Sequence, residues 1–486
     1  MELARGRAAT TLGALAAVAA VVGACHDDSA QVITPVIDQP IDDPDATATA
    51  LPEIALTVAH AHSDRDLVSQ TFVTGEDLVL PGVPFGDDLV MHMSGFIGAS
   101  TTAYGRTCEF AVAAGAPDPK PHLFFSRTVK FGTLPVSPLT RLGGLGVPYL
   151  GAAMLVSGST GSGPNQDVEM YDPATATVTT LGRIDAREQA VYALIGTAPP
   201  RVVVLGGVAG GQGAKFIELL DGRQIDRFDF VEAARVDLTA TSLTDGRVMV
   251  IGGKDPENGK GSKAIDEVSD KNGVLEIRKL PAELAGPRSA HTATRLGDDV
   301  GAPVLIAGGV DDAPVPEPIA QAELFRPLNG SVSDPTVFKA VLQVPRSGHV
   351  ATLMPDGSVL IIGGIDKLGL PVVDVERFTV DGGFIKATVL PASAGTLDFT
   401  ATTLPDGRIL LTGGRLSPNS PPLDTAYIVR LDPSDGSVDV VQTDHMALAR
   451  AKHQAVLLCD GTVLITGGVG GQFAAERYNP PPAERR

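Results

Sequence analysis

The stretch LPDGRILLTGG, residues 404–414, reads as a tight turn feeding one apolar strand that stops at two glycines. Nearly the same phrase returns as LTDGRVMVIGG ending at Gly253, MPDGSVLIIGG ending at Gly364 and LCDGTVLITGG ending at Gly468. Asp-Gly between two apolar runs marks a hairpin, because the turn needs a positive φ that glycine adopts at no steric cost. The closing glycines mark a strand end where the backbone turns and passes close to neighbouring chain. Seven Gly-ended strands recur, closing at Gly158, Gly207, Gly253, Gly309, Gly364, Gly414 and Gly468, with spacings of 46 to 56 residues. Each later unit follows one grammar. A first strand such as HVATLM (349–354) leads into the turn and the Gly-ended strand. A variable loop follows, then a third strand such as VERF (375–378) and a fourth such as FIKATVL (384–390).

Four strands in about 50 residues is the size of a β-propeller blade. With its Gly-Gly pairs, the starts RSAH (288–291), RSGH (346–349) and RAKH (450–453), and the third strands VEMYDP (168–173) and AERYNP (475–480), the chain resembles a bacterial kelch-repeat, galactose-oxidase-like propeller. That resemblance implies an all-β, seven-bladed kelch-type β-propeller over 126–480. The family commonly places Trp in the fourth strand, and this chain has none; Phe228, Ile277, Phe338 and Ile385 are the expected substitutes. The seventh unit reaches only its third strand before the C-terminal tail, 481–486. The upstream segment SRTVKFGTLP (126–135) has no unit of its own and is expected to supply the missing strand, closing the ring from its N-terminal side. Residues 52–125 do not follow the grammar. Their short alternating runs predict a small β-sandwich-like domain, with an irregular extension of the propeller as the rival.

At the N-terminus, Arg5 and Arg7 precede an apolar run of small residues, Leu12 to Val22, that ends in Val22-Gly23-Ala24-Cys25. A charged start, a short apolar core and small residues before a cleavage point make a secretory signal over 1–24 rather than a membrane span. The segment resembles a bacterial lipoprotein signal, which implies that Cys25 is the lipidated mature N-terminus. An ordinary signal with a chance cysteine is the alternative. By the same resemblance, His26 after the cysteine favours the outer membrane. Residues 25–51, rich in Asp, Pro, Ala and Thr, are expected to be a disordered acidic tether.

The formal net charge is −19, and removing residues 1–24 takes away one acid, Glu2, and two bases, Arg5 and Arg7, leaving −20. A chain so acidic does not bind nucleic acid through general electrostatics. Of three cysteines, Cys108 and Cys459 remain after Cys25 and could pair in an oxidising compartment; lying far apart in sequence, they are expected rather as two unpaired, partly buried thiols.

Arg235, Arg288, Arg346 and Arg450 each stand three residues before the same strand position, occupied by Leu238, His291, His349 and His453. Four arginines at a channel mouth could form a ring for carboxylate or phosphate groups. The other reading is structural. A glutamate recurs in the third strand, at Glu169, Glu218, Glu267, Glu323, Glu376 and Glu476. The sixth unit lacks both partners, with Thr396 in the arginine's place and Val429 or Ala426 in the glutamate's. Joint absence is what a buried ion pair predicts, since removing one partner strands the other at a cost of ~3–5 kcal/mol. The second unit is an imperfect case, with Arg187 displaced by one residue. The three repeat histidines belong to different blades and do not converge on one ion, so no metal site is expected. His60 and His62 share a strand face without a third ligand.

No phosphate loop, G-x-S-x-G elbow or complete Ca²⁺ loop is present, and sialidase-type boxes are impossible without Trp. Copper-radical oxidases related to this family need a Tyr–Cys cross-link that neither Cys108 nor Cys459 is placed to make. Paired acids such as Asp298-Asp299 and Asp311-Asp312 lie in loops. The expectation is a non-enzymatic, cofactor-free and monomeric lipoprotein at the outer membrane or cell surface, binding or scaffolding an envelope protein or glycan through its variable loops. The alternative is an exported carbohydrate-acting enzyme with a site at the channel mouth.

Overall fold

A computed structural model describes residues 30–42, 50–63, 65–138, 141–160, 163–231, 234–333, 338, 340–470 and 474–482. The signal segment and Cys25 lie outside these residues. Among the described residues all regular elements of any length are strands, and no helix is long and apolar enough to cross a membrane. The fold is all-β, a propeller-like succession of small antiparallel sheets.

Seven of these sheets have four strands each, in the order first, second, third, fourth. The fifth is representative: Val350–Leu353, Val359–Ile362, Asp374–Thr379 and Gly383–Val389. The Gly-ended second strands are buried along their whole length, as in Val304–Ala307, Val359–Ile362, Ile409–Thr412 and Val463–Thr466. Burial on both faces is why these segments read as continuous apolar runs rather than alternating ones. Their side chains form clusters that each join two neighbouring sheets. Met249 and Ile251 of the third sheet pack with Val304 and Ile306 of the fourth. Leu410 of the sixth packs with Val463 and Ile465 of the seventh. Each such side chain contributes ~1.5–3 kcal/mol of burial. First strands of successive sheets lie against one another, and Gln454–Leu457 of the seventh lies against Leu145–Tyr149 of the first.

The seventh sheet draws its fourth strand, Lys130–Thr133, from upstream of the first, pairing Lys130 with Asn479 through Thr133 with Glu476. Immediately before it, Ser126–Arg127 pairs instead with Ser100–Arg106 in a separate six-stranded sheet built mainly from Glu53–His60, Asp66–Val73 and Gly86–Ile97. That sheet carries its own core, including Leu56, Val58, Met91 and Met93.

Three expectations about the fold itself need correction. Part of the expected tether is structured: Ala30–Ile33 pairs with Leu80–Pro84, and Val36–Asp38 runs parallel to His122–Phe124. Ile33 is fully buried in the core of this module, so a short apolar alternation inside an acidic stretch is enough to anchor it. Ile385 is half exposed, and the neighbouring Phe384 is the buried residue of that fourth strand. Cys108 and Cys459 are joined in a disulfide, with Cα atoms 5.0 Å apart across 351 residues of sequence. Sequence distance misleads here because Lys130–Thr133 brings the N-terminal module to the last sheet.

The double glycine has a packing cause. At Gly308 (φ +63°) a Cβ would meet His349 Cε1 of the next sheet at 2.4 Å; at Gly309 (φ +88°) it would meet Ser289 O at 2.5 Å. The pair is wedged between two strands and left-handed at both residues. In the first sheet the leading position is Ser157 (φ 62°), tolerated where the facing residue of the next sheet is the small Ala190. The hairpin glycine Gly357 is also left-handed (φ +80°), yet a Cβ there meets nothing within 4 Å. Gly357→Ala should therefore lose only the backbone strain of roughly 1–2 kcal/mol, and Gly309→Ala should lose about 1–3 kcal/mol more through forced displacement. Denaturant midpoints compare the two; equal losses would refute the wedge.

Candidate functional site

The repeated arginines are buried, and each holds an acid of its own sheet. Arg288 donates to Glu323 at 2.5 Å, Arg346 to Glu376 at 2.6 Å and Arg450 to Glu476 at 2.8 Å. Arg141 with Glu169 and Arg187 with Glu218 make the same contact. In the third sheet Arg235 pairs with Asp266, not with Glu267. Strand register explains the correction. The acid stands opposite a fixed residue of the second strand, as Glu323 opposite Ile306 and Glu376 opposite Ile361. At that register the third sheet has Asp266, opposite Val250. Glu267, one residue on, accepts from Arg247 at 2.5 Å and Arg278 at 2.9 Å instead. In the sixth sheet the register places Tyr427 at the acid position, opposite Leu411, rather than Val429 or Ala426. Tyr427 and Thr396 are both buried, and the Tyr427 hydroxyl lies 2.6 Å from Ser393 Oγ. A neutral pair thus occupies the site of the charged one. Arg187 is in register as well, since Ala190 follows it by the same three residues that separate Arg288 from His291.

The guanidinium reaches beyond the acid. Arg235 donates to Gly252 O at 2.7 Å, Arg288 to Gly308 O at 3.2 Å and Arg450 to Gly467 O at 3.1 Å, so each ties the third strand to the glycine pair of the second. The arginine's own carbonyl accepts from the preceding sheet. Gly207 N donates to Arg235 O (2.9 Å), Gly253 N to Arg288 O (2.9 Å) and Gly309 N to Arg346 O (2.9 Å). The series continues from Gly364 to Thr396 and from Gly414 to Arg450, and Gly468 N donates to Arg141 O in the first sheet at 2.9 Å. Burial pushes Arg141, Arg187, Arg288 and Arg346 below the ordinary arginine value, with the paired carboxylates opposing it.

Three residues after the arginine, His291, His349 and His453 are buried with Nε2 facing threonines of the preceding sheet: Thr239 at 3.2 Å, Thr292 at 3.0 Å, and Thr400 at 3.1 Å. Their Nδ1 atoms are buried without a hydrogen-bond partner among the described residues. Burial, reinforced by the neighbouring arginine, depresses each imidazole to about 3. Among the described residues no group of three or more His, Cys, Asp or Glu could hold a metal ion.

What remains available to solvent in every sheet lies two residues past the arginine. The residue two past is left-handed in every sheet, including Gln189, Asp237, Ala290, Asp398 and Lys452 (φ 53–56°). This conformation turns the amide toward the adjacent sheet: Ala290 N donates to Asp237 O and Lys452 N to Asp398 O, both at 2.9 Å. Side chains at these positions, together with those following the glycine pairs, line a cavity of roughly 340 Å³ between the first, fifth, sixth and seventh sheets. Its walls are Leu142, Ile365, Leu397 and Val469, and its charged groups are Asp398, Arg415 and Lys452. Arg415 Nε is 3.7 Å from Asp398 Oδ2, and Lys452 is exposed. From the same face, post-glycine loops project Val315, Leu368 and Leu370, which are 77 %, 71 % and 54 % exposed. Sequence reasoning missed Asp398, Arg415 and Lys452 because it followed residues that repeat, and these occupy repeating positions with varying residues.

No family model matches the chain. A solved structure titled "Structure of YjhT" is similar at 15 % identity and a TM-score of 0.44, over 60 % of this chain and 93 % of that one.

Arg346→Ala and Glu376→Ala should each lose ~3–5 kcal/mol of stability, and the double variant less than the sum, because each single change strands a buried charge. Additive losses in denaturant unfolding would argue against coupling. The histidines set a pH dependence. Folded, they stay neutral down to about 3; unfolded, they bind protons below ~6.5. Their contribution is therefore full above about pH 6.5 and is lost as pH falls toward 3, by up to ~1.4 kcal/mol per pH unit per histidine. His349→Phe, copying Phe399 of the sixth sheet, should flatten the fall between pH 6 and 4 by about one third of the histidine term; an unchanged slope would exclude His349 as a contributor.

Proposed function

We propose that the chain is an exported, lipid-anchored binding or scaffolding protein, built on a closed seven-bladed kelch-type propeller over 126–480 and joined to an N-terminal β-module. In this reading Cys25 carries the lipid at the outer membrane or cell surface, the mature protein is monomeric, and the partner is an envelope protein or glycan. The hydrogen-bond series from Gly158 round to Gly468 and Arg141 supports closure. One observation carries the functional part: the repeated charges are held in internal pairs, while variable positions on one face line a cavity and the post-glycine loops carry exposed apolar side chains. Side chains aimed inward stabilise blades; side chains that vary on one face select partners. The cavity sets a single carboxylate, Asp398, beside two cations. That favours binding over glycoside hydrolysis, which ordinarily requires two carboxylates flanking the bond.

The test uses the soluble chain from His26 onward against envelope extract, beside an Arg415→Ser/Lys452→Ser variant, a Leu368→Ser/Leu370→Ser variant and an Arg278→Ser control on an outer strand. A partner retained by wild type and control but reduced at least ten-fold by both face variants is the expected result. Equal capture by all four would remove the face from consideration. A parallel arm compares full-length wild type with Cys25→Ser, which should move from the membrane fraction to the soluble one; no redistribution would exclude the anchor.

A further inference from the structure

The seventh sheet is the one assembled from two distant parts of the chain, through the pairing of Lys130–Thr133 with Glu476–Asn479. Around this seam the N-terminal module meets the seventh and first sheets on their hairpin-turn side. Cys108 is bonded to Cys459, which sits in the Leu458–Gly461 turn. Arg106 Nη1 donates to Cys459 O at 3.1 Å, and Cys459 N donates to Gly151 O of the first sheet at 2.9 Å. Asn479 Nδ2 donates to Tyr104 O at 2.8 Å and Ser126 O at 2.9 Å. Beneath them Arg477 is wholly buried, paired with Asp460 and lying 4.2 Å from the Phe124 ring centre. The fifth sheet has the same turn aspartate and third-strand arginine, Asp356 and Arg377, but there the pair is partly open to water. The module thus covers a feature that another sheet leaves exposed, and it does so at the chain's junction.

We propose that Cys108–Cys459 is a redox-controlled clasp whose reduction releases this junction while leaving the other sheets intact. Cys108 is 8 % exposed, while Cys459 is more open, so the more exposed cysteine is the one in the turn. The reductant is a dithiol. Its thiolate attacks Cys459 Sγ, and the S–S bond breaks toward Cys108, which leaves as a thiolate and takes up a proton. The second thiol of the reductant then displaces Cys459 and closes a disulfide of its own. Two electrons and two protons pass to the protein's cysteines. With the bond open, the joint keeps its four paired residues, the Phe131–Tyr478 packing and the Lys130–Asp444 ion pair, but the N-terminal module loses its covalent tie to the turn of the seventh sheet. The cavity lies at the opposite ends of these strands, so the clasp does not rest on the binding function proposed above.

Hydrogen exchange read by mass spectrometry on the full mature chain tests the clasp without any ligand. Dithiothreitol should raise exchange at least ten-fold in peptides covering Lys130–Thr133 and Glu476–Asn479, leave Val304–Ala307 and Val359–Ile362 unchanged, and reverse on reoxidation. A Cys108→Ala/Cys459→Ala variant should show the same seam exchange with no response to dithiothreitol. The proposal is overturned by a folded protein whose bond resists dithiothreitol. It is overturned equally by unchanged seam exchange after reduction, or by a uniform rise across all sheets. Failure of the partner-capture experiment would leave these outcomes untouched.

Discussion

Six of the seven four-stranded sheets are pinned by one buried contact, a guanidinium placed between a third-strand acid and the carbonyl of the first closing residue. Neither charge could be buried alone, since an unpaired ion in this setting costs several kcal/mol. Together they fix two strands of one sheet against each other at the point where the second strand must stop. The arginine's carbonyl then accepts the amide of the glycine pair from the sheet before, as Gly309 does toward Arg346. A single residue therefore joins its own sheet internally and its neighbour externally. The glycines are required for the same reason: strands brought this close leave no room for a Cβ.

That arrangement decides where chemistry can occur. Arginines that looked like an anion-binding ring are turned into the sheets, at 0 % exposure for Arg346 and Arg450. The histidines beside them are kept neutral by burial and packed on glycines of the preceding sheet. What faces solvent is set by the next residues along, whose left-handed backbone serves the hydrogen bonds between sheets and leaves the side chain unconstrained. Asp237 there meets Lys254 at 2.8 Å, while Asp398, Arg415 and Lys452 edge a cavity with apolar walls. One repeated backbone geometry thus yields a face of unequal chemistry.

Period and turn chemistry made the sheets readable from sequence, because Asp-Gly hairpins and buried second strands leave strong local marks. Register was less readable. The acid of the third sheet was assigned to Glu267, although the true position follows a buried apolar residue in every sheet, as Asp266 follows Ile265 and Glu376 follows Val375. Attention to that neighbour would have found Asp266, and Tyr427 after Ala426 as well. The disulfide and the strands at Ala30–Ile33 and Val36–Asp38 were not readable, because each depends on contacts with residues well beyond the local sequence, across 351 residues for the disulfide. The cavity was hidden for a different reason. Its residues share positions without sharing identity, and a search for repetition discards them.

The sixth sheet shows how such a scaffold can vary without failing. It lacks the ion pair, yet Gly364 N still donates to Thr396 O at 2.8 Å, so the link between sheets survives the loss of the charge. That link uses backbone atoms, and backbone atoms do not depend on which side chain is present. Replacing both partners at once, by Thr396 and Tyr427, avoids the stranded charge that a single replacement would create. The same sheet supplies Leu397, Asp398 and Arg415, more of the cavity's lining than any other sheet. The ion pair is therefore one solution to closing a sheet rather than a condition of the succession of sheets. The backbone series is the condition, and it is what leaves the face free to change.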